Sequence, residues 1–359
     1  WSTTGNVAFQ LGDTVKFRII TSVPDVSRYP DGYTYIVHDT MTVGFTSKVT
    51  ADKASVSIVI DNNPADTLAG DYYTIVLNPH DGTGETSHFD ISIDISKAIA
   101  DGKLQPGDKL YINYEAVLNE KADIYQIGRY PNTNTAQLEY SNNPNGAGTG
   151  KTPESKVNAW TFPAIISKVD GKDNAKTLEG AKFVLSRNPN LKVSDMKCDE
   201  NGDPTVLTDL IPLFAPGDQQ TSTAAYDIAT ADQIANNQEH ITYVIELGSK
   251  TLAGFGEHAY YLYETKAPNG YNLLSEPVKF TFHSSATNDF LAGDPAWITL
   301  NDSAIKLTGM QFEIANNSGA TLPETGGIGT TLFYVIGGLL VVGAGVLLVT
   351  KKRMGKADN

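Results

Sequence analysis

Between Val7 and Asn143 the chain alternates, and alternation limits what it can become. Val15, Phe17 and Ile19 are separated by Lys16 and Arg18. Tyr35 and Val37 continue the pattern, followed by Val56, Ile58 and Ile60, then Phe89, Ile91, Ile93 and Ile95. A period of two puts every second side chain on one face, so these runs predict half-buried antiparallel strands broken by Gly, Asn, Asp and Pro turns. One short helix is expected at Ser96–Asp101, ended by Gly102. Charged residues make up only 19% of the 359 residues, which suits β-rich exported domains. The formal charge of −14 argues against a nucleic-acid partner.

Residues 142–152, NNPNGAGTGKT, carry no apolar anchor and predict a linker, 146–157, between a first β-domain (1–145) and a second (158–318). The second contains an irregular insertion at about 188–238, with a short helix expected near Thr230–Asn236. The single cysteine, Cys198, cannot form an internal disulfide. The six histidines, His38, His80, His88, His240, His258 and His283, show no metal-ligand spacing, so no metal or cofactor is expected. Asp199–Asp203 lacks the closing Glu of a calcium loop, and Gly148–Thr152 lacks the spacing of a phosphate loop. No Ser/His/Asp arrangement points to a turnover enzyme.

The C-terminus follows a strict order. Leu322-Pro323-Glu324-Thr325-Gly326 lies within a segment 319–331, an apolar run occupies 332–350, and Lys351-Lys352-Arg353 open a basic tail 351–359. About nineteen residues at roughly 1.5 Å each span about 28 Å, close to the thickness of a bilayer core. The basic tail favours the cytoplasmic side, which leaves everything before the run facing outward. The order resembles the cell-wall sorting signal of Gram-positive surface proteins, the LPXTG motif read by sortases. That resemblance implies cleavage between Thr325 and Gly326, transfer of the Thr325 acyl group to an amine, and a protein attached to the cell wall after transient membrane insertion. A chain starting at Trp1 with no export signal is then expected to be mature or shortened at its front.

The second domain carries a further constellation. It opens with Ile165-Ile166-Ser167-Lys168-Val169-Asp170 and continues through Leu178-Glu179-Gly180-Ala181-Lys182-Phe183. Later come Tyr261-Leu262-Tyr263-Glu264-Thr265-Lys266-Ala267-Pro268-Asn269-Gly270-Tyr271 and the last strand, Phe312-Glu313-Ile314-Ala315-Asn316. Lys168 shares a face with Ile166, Glu264 with Leu262, and Asn316 with Ile314, so all three are expected to point inward. Burial turns a lysine towards the neutral, nucleophilic amine and a glutamate towards the acid. The three can therefore carry out an acyl transfer that yields an amide and ammonia, with Glu264 moving the proton.

These segments resemble the Cna B-type domain of sortase-assembled pilins. The first domain is similar to the middle domain of those pilins through Gly12–Ile19, Tyr35–Met41 and Asn134–Asn142. The likeness implies an all-β chain of two tandem immunoglobulin-like (Cna-type) β-sandwiches followed by a C-terminal transmembrane helix. It implies a Lys168–Asn316 isopeptide in the second sandwich. In the first it implies Asp39 in the acid role, Asn142 as acceptor, and a lysine donor. Lys16 is the candidate donor at hand, although its parity points outward, and a strand ahead of Trp1 is expected to carry the true one. The implied role is a structural pilus subunit supporting adhesion, with sortase, other pilin subunits, peptidoglycan and a host surface ligand as partners. A wall-anchored adhesin or an accessory tip or base pilin is the alternative.

This reading makes Thr325→Ala informative. The variant is expected to stay uncleaved in the membrane fraction, which fractionation and immunoblotting will report. Deleting residues 332–359 should release the protein to the medium. Covalent wall attachment of Thr325→Ala would contradict the sorting reading.

Overall fold

The alternation folds as it predicts. The computed structural model describes residues 6–77, 87–125, 131–215, 226–283, 296–307 and 309–319. In the first sandwich, one sheet runs in the order Asn6–Ala8, Ser155–Trp160, Asn132–Ser141, Tyr35–Met41, Ser87–Ile93, Tyr73–Leu77, with Thr149–Lys151 added to Asn132–Ser141. The other centres on Lys109–Leu118, which pairs with Thr14–Ser22, Phe45–Ser47 and Ser57–Ile60. Val37, Phe89 and Ile91 of the first sheet and Phe17, Ile112 and Tyr114 of the second are buried. Phe89 and Tyr114 meet edge to face across the core at 5.2 Å. Ile95, the last residue of its alternating run, instead opens the short helix Ile95–Ala100. Asp94 caps that helix by accepting from the Lys97 N–H, and Gly102 follows it at φ +67°.

The second sandwich pairs a sheet of Asp173–Thr177, Phe162–Asp170, Ser249–Phe255, Tyr226–Ile228, Leu213–Phe214 and Ile241–Thr242 with one of Ile245–Leu247, Ala181–Ser186, Ala259–Lys266, Val278–His283 and Trp297–Leu300. Gln311–Asn316 lies parallel to Phe162–Asp170, in register from Ile165↔Gln311 to Asp170↔Asn316. Phe162, Phe255, Tyr260, Phe280 and Phe282 fill the core with stacked and edge-to-face rings. The expected insertion does more than decorate: Leu213–Phe214 and Tyr226–Ile228 extend the sheet. Its helix, Ala231–Asn236, begins in a capping box between Thr230 and Gln233.

The expected linker is not one. Residues 142–148 close a hairpin in which the Asn142 N–H donates to the Gly148 carbonyl, and Thr149–Lys151 returns along Ser141–Glu139. Ser155–Trp160, assigned in part to the second domain, pairs with Asn132–Ala136 of the first sheet. Asn, Gly and Pro suit a hairpin turn as well as a tether, and composition does not separate the two. Only Thr161 stands between Trp160 of the first sheet and Phe162 of the second. The described residues up to Asn317 accordingly form one compact unit. Among the described residues no helix is long and apolar enough to cross a membrane. The LPETG segment from Leu322 to Gly326, the apolar run and the basic tail lie outside the described residues.

The junction inside the first unit is close-packed. The Leu11 N–H donates to the Gly254 carbonyl (2.9 Å), and the Tyr260 hydroxyl donates to Gln10 Oε1 (3.1 Å). A Cβ on Gly256 would lie 2.6 Å from the Gln10 backbone nitrogen and 2.7 Å from the Phe9 carbonyl carbon. Those atoms are backbone and cannot rotate away. Gly256→Ala is therefore predicted to lower stability by about 1–3 kcal/mol, measured by urea unfolding. An unchanged midpoint would show that the junction is looser than the packing indicates.

Candidate functional site

The strand parity brings Lys168, Glu264 and Asn316 together. Lys168 and Asn316 are 0% exposed and Glu264 2%. Lys168 sits opposite Ile314 in the parallel pair, so Asn316 is its diagonal neighbour on the same face, within reach of a lysine chain. The Asn316 amide donates from Nδ2 to Glu264 Oε1 (2.9 Å) and Oε2 (3.0 Å), and to the Asn272 carbonyl (2.8 Å). Glu264 Oε2 also accepts from the Leu274 N–H (2.7 Å). Lys168 Nζ donates to the carbonyl of Ile314 (2.8 Å), two residues before Asn316. Asn316 Oδ1 is buried without a partner among the described residues. Asn317, the neighbouring alternative, is exposed.

Burial shifts both ionisable groups towards their neutral forms. Burial lowers Lys168 to about 8, while the Glu264 charge pulls it back up. Burial raises Glu264, against the opposing hydrogen bonds from Asn316 and Leu274 and the Lys168 charge. Each shift runs in the direction that a nucleophile or a general acid needs. Nearby, Tyr271 ties the strand exit. Its hydroxyl donates to Asp170 Oδ2 (2.8 Å), Lys176 Nζ donates to the Tyr271 oxygen (2.9 Å), and backbone and Tyr271 hydrogen bonds hold Asp170 at about 2.

The first sandwich holds a related pair with a different amide. Asp39 is fully buried, on the face of Tyr35 and Val37, but Asn142 is exposed beyond the end of its strand. Asn134 takes the place instead. Asp39 lies opposite Ala136, and Asn134 is two residues along on the same face. Asn134 Nδ2 donates to Asp39 Oδ2 (3.1 Å) and to the Tyr114 oxygen (2.8 Å), and the Tyr114 hydroxyl donates to Asp39 Oδ2. Asn134 and Asn142 share parity. The difference is one of register, which the pairing of Tyr35 with Tyr140 sets. Lys16 points outward, with its side chain 69% exposed and 4.0 Å from Glu115, so it is not poised as a donor. Among the described residues of the first sandwich no lysine is buried. A groove of about 950 Å³ reaches Asn134 and Tyr114, walled by Phe17, Ile19, Val37 and Leu138. Asp39 Oδ1 and Asn134 Oδ1 are buried and unpartnered among the described residues.

Residues 314–354 match the LPXTG cell wall anchor motif, which makes this a surface protein attached to the cell wall. The chain is 26% identical over 257 residues to a fimbrial subunit type 1 of Actinomyces viscosus, covering 70% of this chain and 43% of that protein. It is 24% identical over 273 residues to the trypsin-resistant surface T6 protein of Streptococcus pyogenes, covering 67% and 48%. The chain thus spans under half the length of these relatives. Its fold is similar to a C-terminal fragment of a major pilin of Streptococcus agalactiae, with TM-score 0.52, 20% identity, and coverage of 87% of this chain and 96% of that one.

Burial, offset by hydrogen bonds from Tyr114 and Asn134, raises Asp39 from 3.8 to about 7. The native state then keeps a proton that the unfolded chain releases. This contribution is fully present below about pH 4 and is lost as pH rises through about 7, on the order of 4 kcal/mol in all. Asp39→Asn is predicted to flatten the fall in stability across that window, read by urea unfolding at a series of pH values. An unaltered slope would mean that Asp39 is ionised in the fold.

Proposed function

We propose that this wall-anchored chain, with the fold of the Gram-positive pilins, is a structural subunit of a covalently assembled pilus. The observation that carries the reading is the buried Lys168–Glu264–Asn316 cluster, with Lys168 and Asn316 on the first and last strands of the sandwich that leads into the anchor and Glu264 on Ala259–Lys266 between them. In this reading the neutral Lys168 amine attacks Asn316 Cγ, and Glu264 protonates the amide as it departs. The Lys Nζ–Cγ bond forms, the Cγ–Nδ2 bond breaks, and Nδ2 leaves as ammonia with the proton that Nζ gives up. The chemistry happens once per chain, so the protein is its own substrate and not a turnover enzyme.

The cross-link would join residues 168 and 316 directly, so tension along the chain bypasses the hydrogen-bonded core between them. Loop-closure entropy gives such a bond roughly 5 kcal/mol. In the first sandwich, Asp39 and Asn134 would act alike on a lysine brought by a strand laid in the groove. Sortase would join Thr325 to an amine of another subunit or of peptidoglycan, and the finished fibre would support adhesion to a host surface.

Intact-mass measurement of purified residues 1–317 tests the intramolecular step. The expected mass falls short of the sequence by one ammonia, whereas Glu264→Ala restores the full mass and lowers the melting temperature. A wild-type protein at full mass would sink the proposal.

A further inference from the structure

The outer face of the first sandwich gathers groups that the sequence keeps fifty residues apart. His38 and Thr40 stand on Tyr35–Met41, and His88 and Asp90 on Ser87–Ile93. The register pairs His38 with Asp90 and Thr40 with His88 directly. Asp90 Oδ1 lies 2.7 Å from His38 Nδ1 and 3.3 Å from His88 Nε2. The ligand atoms of the three residues all fall within 4.8 Å of one another. Their side chains are 19%, 23% and 22% exposed, so an ion can enter from solvent.

The far sides of both rings are fixed. His38 Nε2 meets Glu139 Oε2 at 2.9 Å, and His88 Nδ1 meets the Thr40 hydroxyl at 3.0 Å. A neutral imidazole that donates from Nε2 to Glu139 must turn the Nδ1 lone pair towards Asp90. Likewise, a neutral His88 that donates from Nδ1 to Thr40 turns its Nε2 lone pair the same way. With these tautomers two lone pairs and a carboxylate oxygen converge on one point, where a cation would satisfy all three. A carboxylate or hydroxyl behind each ligating imidazole is also the support that metal-bound histidines use to fix tautomer and orientation.

We propose that His38, His88 and Asp90 bind one transition-metal ion of the Zn²⁺ type, with Glu139 and Thr40 as positioning residues. Bonds of about 2.0–2.2 Å in tetrahedral geometry separate neighbouring ligand atoms by about 3.3 Å. The His88–Asp90 spacing already matches, and the His38–Asp90 spacing must open by about 0.6 Å. Two imidazoles and one carboxylate select Zn²⁺, Cu²⁺ or Ni²⁺ over Ca²⁺ and Mg²⁺, and a water completes the shell. The ion would staple two strands at the position next to Asp39, which faces the core from the same strand. The proposal is independent of the isopeptide reading, since none of these residues belongs to either buried pair.

Calorimetric titration of the purified, EDTA-treated protein with ZnCl₂ tests it, alongside imidazole ¹⁵N spectra. One ion per chain is expected, with shifts at His38 and His88 and none at the other four histidines. His88→Ala and Asp90→Asn should each weaken binding at least about tenfold, and Glu139→Gln about 10–100-fold with the ligands intact. No saturable binding, equal binding of CaCl₂, or an affinity indifferent to His88→Ala and Asp90→Asn would overturn the proposal. Two variants keep the test sound should one fail to fold, which circular dichroism will report.

Discussion

A lysine ammonium with no exposed surface is the constraint on which the second sandwich turns. Lys168 is 0% exposed and its hydrogen bond goes to a backbone carbonyl, with the one acid at hand, Glu264, itself pushed towards the neutral form. Removing a charge from water costs several kcal/mol unless it is paired or neutralised. Burial shifts Lys168 towards the neutral amine, down to about 8, and sets it beside a buried carboxamide. In the proposed reading, the same burial raises the share of the neutral, nucleophilic amine, and amide formation would remove the ionisable group altogether.

The rest of the architecture holds that pair in line with the chain. The first and last strands lie parallel over six register partners, and their cross-link candidates sit on one face. Upstream, Ser155–Trp160 of the first sheet runs into Phe162–Asp170 of the second with one residue between. Tension entering from the first sandwich therefore arrives on the strand that bears Lys168. The packed contacts of Leu11, Gln10 and Gly256 resist hinging at that junction, a geometry suited to a fibre under load.

Parity made much of this legible. Alternation alone placed Lys168, Glu264, Asn316 and Asp39 on inward faces, because a strand gives a side chain only two choices. Register is a different matter. Asn134 and Asn142 share a face, and only the pairing of Tyr35 with Tyr140 shows which one lies beside Asp39. Turn chemistry also misled: the residues that close the hairpin at 142–148 have the composition of a tether. His38 and His88 show no ligand spacing in the sequence because that signal is local, whereas a sheet brings distant residues together through hydrogen-bonded neighbours.

The central claim is that burial drives Lys168 to acylation by Asn316. A high-resolution crystal structure of residues 1–317 tests it most directly, through the electron density between Lys168 Nζ and Asn316 Cγ. The account predicts continuous density of amide-bond length, with Glu264 hydrogen-bonded to the new amide. Separate side chains, with Nζ still on the Ile314 carbonyl and an intact Asn316 carboxamide, would contradict it.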